Sequence, residues 1–186
     1  GTQIVTQMSH APGLRIAAIA ELDGAKALRA YELAGIERSR VVCSETPDEI
    51  NAAIASGHPA LVGSARALME SGVDLIIEAT GSVEVGAGHA RYAIAQGKHV
   101  VMVTVEADVV VGNHLRALAD RAGVLYSAAY GDEPALAAEL CDWAKVLGFR
   151  LVVAGKGTRF TDSFRKCNPD DVPLFSSKKA CKAACM

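Results

Sequence analysis

The chain has 186 residues, of which 51% are hydrophobic and 22% charged, with 19 basic and 21 acidic side chains. Such a composition belongs to a globular protein with a sizeable core, long enough for one domain, or for one domain and the beginning of another. A net charge of −2 with evenly spread basic residues gives no stripe to neutralise a phosphate backbone, which argues against nucleic acid as a partner. No apolar run reaches the roughly 18–20 residues that span a bilayer, and there is no basic-then-apolar leader, so the expectation is a cytoplasmic protein with no membrane contact.

In chain order, Gly1–His10 reads as a helix and Leu14–Ala20 as a strand ending at Glu21. Helical periodicity follows over Gly24–Ala34, then a short strand at Val41–Cys43. Thr46 precedes a proline at the first helical position, predicting a capped helix over Pro47–Ser56. Ala65–Ser71 is helical, Asp74–Ala79 a strand, Val83–Gln96 a helix and His99–Thr104 a strand. Gly112–Arg121 is a helix, Val124–Ala128 a strand, Pro134–Leu147 a helix and Phe149–Ala154 a last strand. Gly35, Gly72, Gly97, Gly123 and Gly148 each follow a helix, where a left-handed closing residue is wanted. Tyr31 and Trp143 fall at helical positions and read as packing.

Several of the strand-like runs are apolar on both faces and rich in Val and Ile, as in parallel strands covered by helices. Strands alternating with helices over short connections predict an α/β fold, a doubly wound parallel sheet of Rossmann type. The expected organisation is a dinucleotide-binding domain over 1–128, the start of a catalytic α/β domain over 129–172 and an irregular tail over 173–186. Five cysteines, at 43, 141, 167, 181 and 185, lack metal-type pairing and read as buried or incidental thiols. The histidines at 10, 58, 89, 99 and 114 show no metal-ligand spacing either.

Doubly wound sheets bind nucleotides at the carboxyl ends of their strands. An acid there accepts hydrogen bonds from the adenosine ribose about 20 residues beyond the glycine fingerprint. Counting back from Glu21 leads to Gly1, which would be the last glycine of that fingerprint. The first strand and the other two glycines would then lie upstream, and the chain reads as a fragment cut at both ends. The second feature is Glu78-Ala79-Thr80-Gly81-Ser82, a turn small enough at Thr80 and Gly81 for backbone to approach a nicotinamide ribose or a pyrophosphate. The alternative is an ordinary tight turn. The third is the strand ending at Thr104, followed by Glu106; both side chains would lie near the nicotinamide, unless Glu106 merely starts a helix.

At three segments the chain resembles the reductoisomerase-like oxidoreductases, a family similar to homoserine dehydrogenases that often carries an SAF-type domain. These are Val103-Thr104-Val105-Glu106-Ala107-Asp108, Ala129-Tyr130-Gly131-Asp132-Glu133-Pro134-Ala135-Leu136 and Ala154-Gly155-Lys156-Gly157-Thr158. With the Rossmann part, the likeness runs from Gly1 to about Val172. It implies NAD(P)-dependent hydride transfer on a small-molecule substrate, with conversion of 1-deoxy-D-xylulose 5-phosphate to 2-C-methyl-D-erythritol 4-phosphate as one credited reaction. Homoserine dehydrogenation and a nucleotide-binding module without chemistry are the alternatives. The chain departs from the family of classical reductoisomerases where Ala-Asn-Lys is usual: Thr104-Val105 stand there and no lysine follows.

The resemblance bears on further residues. Asp132 and Glu133 match a turn that supplies metal ligands in classical reductoisomerases, and two carboxylates suit Mg²⁺ or Mn²⁺; the competing reading is that both cap the next helix. Lys156, between Gly155 and Gly157, suits a phosphate or carboxylate, against the plainer reading of an exposed turn lysine. Lys156 and Glu106 are thus the catalytic candidates, Gly1, Glu21, Thr80, Gly81 and Thr104 the cofactor candidates, and Asp132 and Glu133 the metal candidates. The resemblance favours NADP, whereas Glu21 favours NAD by repelling a 2′-phosphate, unless Lys26, Arg38 or Arg40 folds back towards one. A homo-oligomer is compatible with all of this.

Overall fold

The structure, a computed structural model, describes residues 1–131 and 135–155. Two compact units divide the chain between Tyr130 and Gly131. The first opens with helix α1 (Thr2–Met8), followed by strand β1 (Ala18–Ala20) and helix α2 (Gly24–Leu33). Asp23 caps α2, its carboxylate accepting from the amides of Ala25 and Lys26 at 3.1 and 3.2 Å. Strand β2 (Val42–Cys43) leads to helix α3 (Pro47–Ala55). Thr46 and Glu49 close a reciprocal capping box around the proline at its start. Strand β3 (Ala60–Val62), helix α4 (Ala65–Glu70), strand β4 (Leu75–Glu78) and helix α5 (Val83–Ala95) follow. Strand β5 (His99–Met102), helix α6 (Val105–Ala122) and strand β6 (Tyr126–Ala128) complete the unit.

All strand pairs are parallel. They form two three-stranded sheets, ordered β1-β3-β2 and β4-β5-β6. A core of Met69, Val73, Ile76, Ala93, Ile94, Val100, Met102 and Leu115 fills the space between the second sheet and its helices. Ile50, Ala53, Ala60 and Val62 form the core of the first sheet, and Ile54 and Leu68 pack against both cores. Among the described residues no strand pairs with the outer edge of β1 or of β4. Tyr31 is fully buried, its hydroxyl donating to the Ala60 carbonyl at 2.6 Å. Arg66 lies over the Tyr92 ring at 4.9 Å and pairs with Glu70 at 2.9 Å, while the Tyr92 hydroxyl also donates to Glu70.

The second unit contributes helix α7 (Ala135–Val146), closed by Gly148 at φ 81°. Trp143 is 65% exposed on it, against the expectation of packing. Phe149–Ala154, expected as a strand, has no strand structure, and Phe149, Val152 and Val153 are exposed. An isolated extended segment gains nothing from its β propensity without a neighbour to pair with. Expectations placed on Asp132, Glu133, Lys156 and the tail over 173–186 lie outside the described residues.

Candidate functional site

Because every pair is parallel, the carboxyl ends of all six strands lie on the same side of their sheets. The register aligns Glu78 of β4 with Met102 of β5, and Met102 with Ala128 of β6. In the first sheet Ala20 aligns with Val62, so Glu21 leaves β1 on its carboxyl edge. The Glu21 amide donates to the Val62 carbonyl at 3.0 Å, continuing the ladder one residue past the strand.

The Glu21 carboxylate is 28% exposed and meets Lys26 Nζ at 3.0 Å, while its other oxygen accepts from the Asp23 amide at 3.3 Å. Partial burial opposes ionisation, but the Lys26 ammonium and the Asp23 amide outweigh it and hold the carboxyl below its usual range. Of the basic residues that might turn towards a 2′-phosphate, Lys26 is at hand. Arg38 is paired with Glu32 at 3.3 Å, and Arg40 donates to the Gly57 carbonyl at 3.4 Å.

At β4 the chain turns through Ala79-Thr80-Gly81-Ser82 into α5. Glu78 is 3% exposed, a carboxylate at the end of an otherwise apolar strand. One of its oxygens accepts from the Thr80 amide at 3.0 Å and lies 3.8 Å from His89 Nδ1. The other is buried with no partner among the described residues. It sits against Gly86, where an added Cβ would come within 2.9 Å of it. Thr104, 2% exposed, accepts from the Gly81 amide at 3.0 Å through its hydroxyl, and the Ser82 amide donates to Thr80 Oγ1 at 3.4 Å. Gly81 itself adopts φ 71°, a conformation that favours glycine.

Of the sequence candidates, Gly81 and Thr104 are therefore joined by a direct hydrogen bond, with Thr80 next to Gly81 in the same turn. Glu106 stands apart as an exposed residue in the first turn of α6. Gly1 is the cap of α1, with nothing within 4 Å of an added Cβ. The sequence reading places Glu78 at the head of this turn without giving it a role, and does not single out His89. A charged residue ending an apolar Leu-Ile-Ile strand, with glycine eight positions on, is the available signal. Nor does the sequence reading give a role to Asp108, which accepts from the Tyr126 hydroxyl at 2.7 Å. Burial and that carboxylate both push the tyrosine's pKa above its usual range.

No group of three or more His, Cys, Asp or Glu suited to a metal occurs among the described residues. A cavity of about 270 Å³ lies at the opposite, amino edge of the first sheet, lined in part by Leu14, Arg15, Ile16, Arg40 and His58. There Arg15 and Arg40 donate to the Ile54 and Gly57 carbonyls at the end of α3, where a guanidinium complements the negative helix terminus. These side chains serve the helix end and not the carboxyl edge.

No curated protein matches the chain. Among solved structures, a putative oxidoreductase from Klebsiella pneumoniae is similar, at 24% identity and a TM-score of 0.49 over 68% of this chain. The chain spans 30% of the length of that protein. Residues 131–186 match the catalytic domain described as "Oxidoreductase DRL". Residues 1–129 match the NAD-binding domain of homoserine dehydrogenase. With the parallel strands and their shared carboxyl edge, that match decides the matter: the chain belongs to the family of homoserine dehydrogenase-type NAD-binding domains, joined here to the domain of an oxidoreductase.

Proposed function

We propose that this chain supplies the nicotinamide-cofactor site of an NAD(P)-dependent oxidoreductase, in which Glu21 receives the adenosine ribose. The reading rests chiefly on Glu21, an ionised carboxylate leaving a parallel strand at its carboxyl edge and still partly open to solvent. Thr80, Gly81 and Thr104 lie at the corresponding edge of the second sheet, suited to the nicotinamide half, with Glu106 exposed in the first turn of α6. Lys26 makes the cofactor preference a matter of balance. It partly neutralises Glu21, and without Glu21 it is released to pair with a 2′-phosphate.

Titration of NADH and NADPH, followed by nucleotide fluorescence, tests this reading. Replacing Glu21 by Ala should weaken NADH about tenfold, or about 1.4 kcal/mol, the scale of a hydrogen bond to a charged group. NADPH should be unaffected or bind more tightly. Equal affinities before and after the change would remove Glu21 from the ribose.

For the intact protein we infer a reductoisomerase-like reaction on a small sugar phosphate. Its support is the run from Ala129 to Leu136 and the sequence Gly155-Lys156-Gly157, both within or next to the matched oxidoreductase catalytic domain. In this reading Asp132 and Glu133 would hold Mg²⁺ or Mn²⁺, and Lys156 the substrate phosphate. The ion, when bound, would polarise the substrate oxygens. Asp132→Asn or Glu133→Gln should then lower turnover of the full-length enzyme by about a hundredfold, roughly 2.7 kcal/mol of barrier. Full activity in the presence of a chelator would remove the ion from the reaction, and activity on homoserine would replace the sugar phosphate.

A further inference from the structure

At the amino edge of the first sheet, the approach to β1, the exit from α2 and the exit from α3 come together around the cavity of about 270 Å³. Its volume falls just under the roughly 300 Å³ at which ordinary ligand pockets begin, so it suits a small molecule. The walls are of two kinds. Leu14, Ile16 and Ile36 supply apolar surface, while Arg15, Arg40 and His58 supply hydrogen-bond donors. Among the described residues, no aspartate or glutamate lines it.

Arg38, Arg66 and Arg116 each meet a carboxylate, at 3.3, 2.9 and 2.9 Å. Arg15 and Arg40 meet none among the described residues. Their contacts are the carbonyls of Ile54 at 3.5 Å and of Gly57 at 3.4 Å, long for an N–H···O bond, which is usually about 2.9–3.0 Å. A guanidinium presents five N–H groups in a fixed fork, so most donors of both arginines are uncommitted. His58 Nδ1 lies 3.1 Å from the Arg40 carbonyl. A carbonyl only accepts, so Nδ1 carries the proton and the contact steadies the Arg40 backbone. Two cations on one small cavity repel each other, and the carbonyl end of α3 offsets them only in part. An anion between them would complete the balance.

We propose that this cavity binds a small aliphatic carboxylate, its oxygens held by Arg15 and Arg40 and its hydrocarbon part laid against Leu14, Ile16 and Ile36. The guanidinium fork matches a carboxylate with two parallel hydrogen bonds. The apolar wall favours an anion with a hydrocarbon body over inorganic phosphate, which would lose hydration on that side without replacement. The site lies at the other end of β1 from Glu21. That strand has three residues, so about 10 Å of sheet separates the two edges. The inference therefore stands apart from the cofactor reading, and a carboxylate here would not compete with a dinucleotide.

Amide spectra of the isotope-labelled chain, titrated with pentanoate at constant ionic strength, test this. Saturable shifts should appear at Leu14–Ala17, Ala34–Ile36 and Gly57–His58, and not at Glu21. Pentanamide, similar in shape but uncharged, should leave these signals in place, and inorganic phosphate should bind at least several-fold more weakly than pentanoate. Arg15→Gln and Arg40→Gln retain an N–H for the carbonyl at the end of α3 but remove the charge. Each should weaken pentanoate about tenfold, the scale of a hydrogen bond to a charged group, with a melting temperature close to the parent's. Arg38→Gln, beside the cavity but outside its lining, should bind pentanoate as the parent does.

Pentanamide binding as well as pentanoate would overturn the proposal, as would pentanoate shifts that never saturate. Phosphate binding as tightly as pentanoate would overturn the carboxylate assignment. Undiminished affinity in both Arg15→Gln and Arg40→Gln would remove the arginines from the site. Should either glutamine variant melt early, Arg15→Lys and Arg40→Lys keep the charge and lose the fork, and parent-like affinity in both would overturn the two-pronged contact.

Discussion

Tyr31 shows what one buried hydroxyl does for this sheet. It is fully buried on α2 and donates to the Ala60 carbonyl in the middle strand β3, tying the helix to a strand that is only three residues long. Burial raises its pKa above the ordinary value of about 10. The unfolded chain therefore ionises first: the tyrosine's contribution to stability is complete below about pH 10 and is lost as the pH rises through and above it. Tyr31→Phe should cost about 1–2 kcal/mol in a urea melt at pH 7, since the Ala60 carbonyl loses a buried donor. The variant should also lose less stability than the parent between roughly pH 9 and 11, the window around the unfolded value. An equal alkaline loss in the two proteins would exclude Tyr31 as its source.

Helix α5 carries two interior glycines whose roles differ. At Gly88 an added Cβ meets nothing within 4 Å, whereas at Gly86 it meets the buried Glu78 carboxylate at 2.9 Å. Gly88→Ala should stabilise by roughly 0.5–1 kcal/mol through helix propensity alone. Gly86→Ala should destabilise despite the same intrinsic gain, because a buried carboxylate must move. Parallel thermal melts check the pair, and equal gains would mean that Glu78 yields freely. Element by element, the chain's alternation of strands and helices was legible because its apolar runs and caps agree, as in the Thr46–Glu49 box. The exceptions have physical reasons. β3, buried at every position, has neither length nor alternation to announce it. Helix α6 starts at Val105, not at Gly112, because Val105 and Val109–Val111 carry β propensity that packing overrides. Gly72 closes no left-handed turn: its amide donates to Asn51 at 2.6 Å, whose side-chain oxygen would lie 3.0 Å from an added Cβ. At the candidate site, the positions of Glu21, Thr80, Gly81 and Thr104 at or just past strand ends were legible in the sequence. The roles of Glu78 and Asp108 were not, because their partners, His89 and Tyr126, are set by tertiary packing.

Over the whole first unit, the outer edges of β1 and β4 stand out, since no strand among the described residues pairs with them. Neighbouring residues of a parallel strand bond to opposite sides. The Glu21 amide bonds to β3, and the Asp74 and Glu78 carbonyls accept from His99 and Val103. The backbone groups of Ala18 and Ala20, and of Leu75 and Ile77, therefore face the unpaired edges. Their amides should exchange with solvent faster than those of Ile19 and Ile76, in strict alternation along each strand. Uniform protection would show both edges to be covered. These same edges have a consequence for how the protein behaves at the bench. Apolar, half-buried and unbonded strand edges act as templates for another chain, so solubility should be limited by self-adhesion at the backbone and not by net charge. Light scattering at rising protein concentration should show association that added salt does little to relieve, and that mild urea, which solvates peptide groups, reverses.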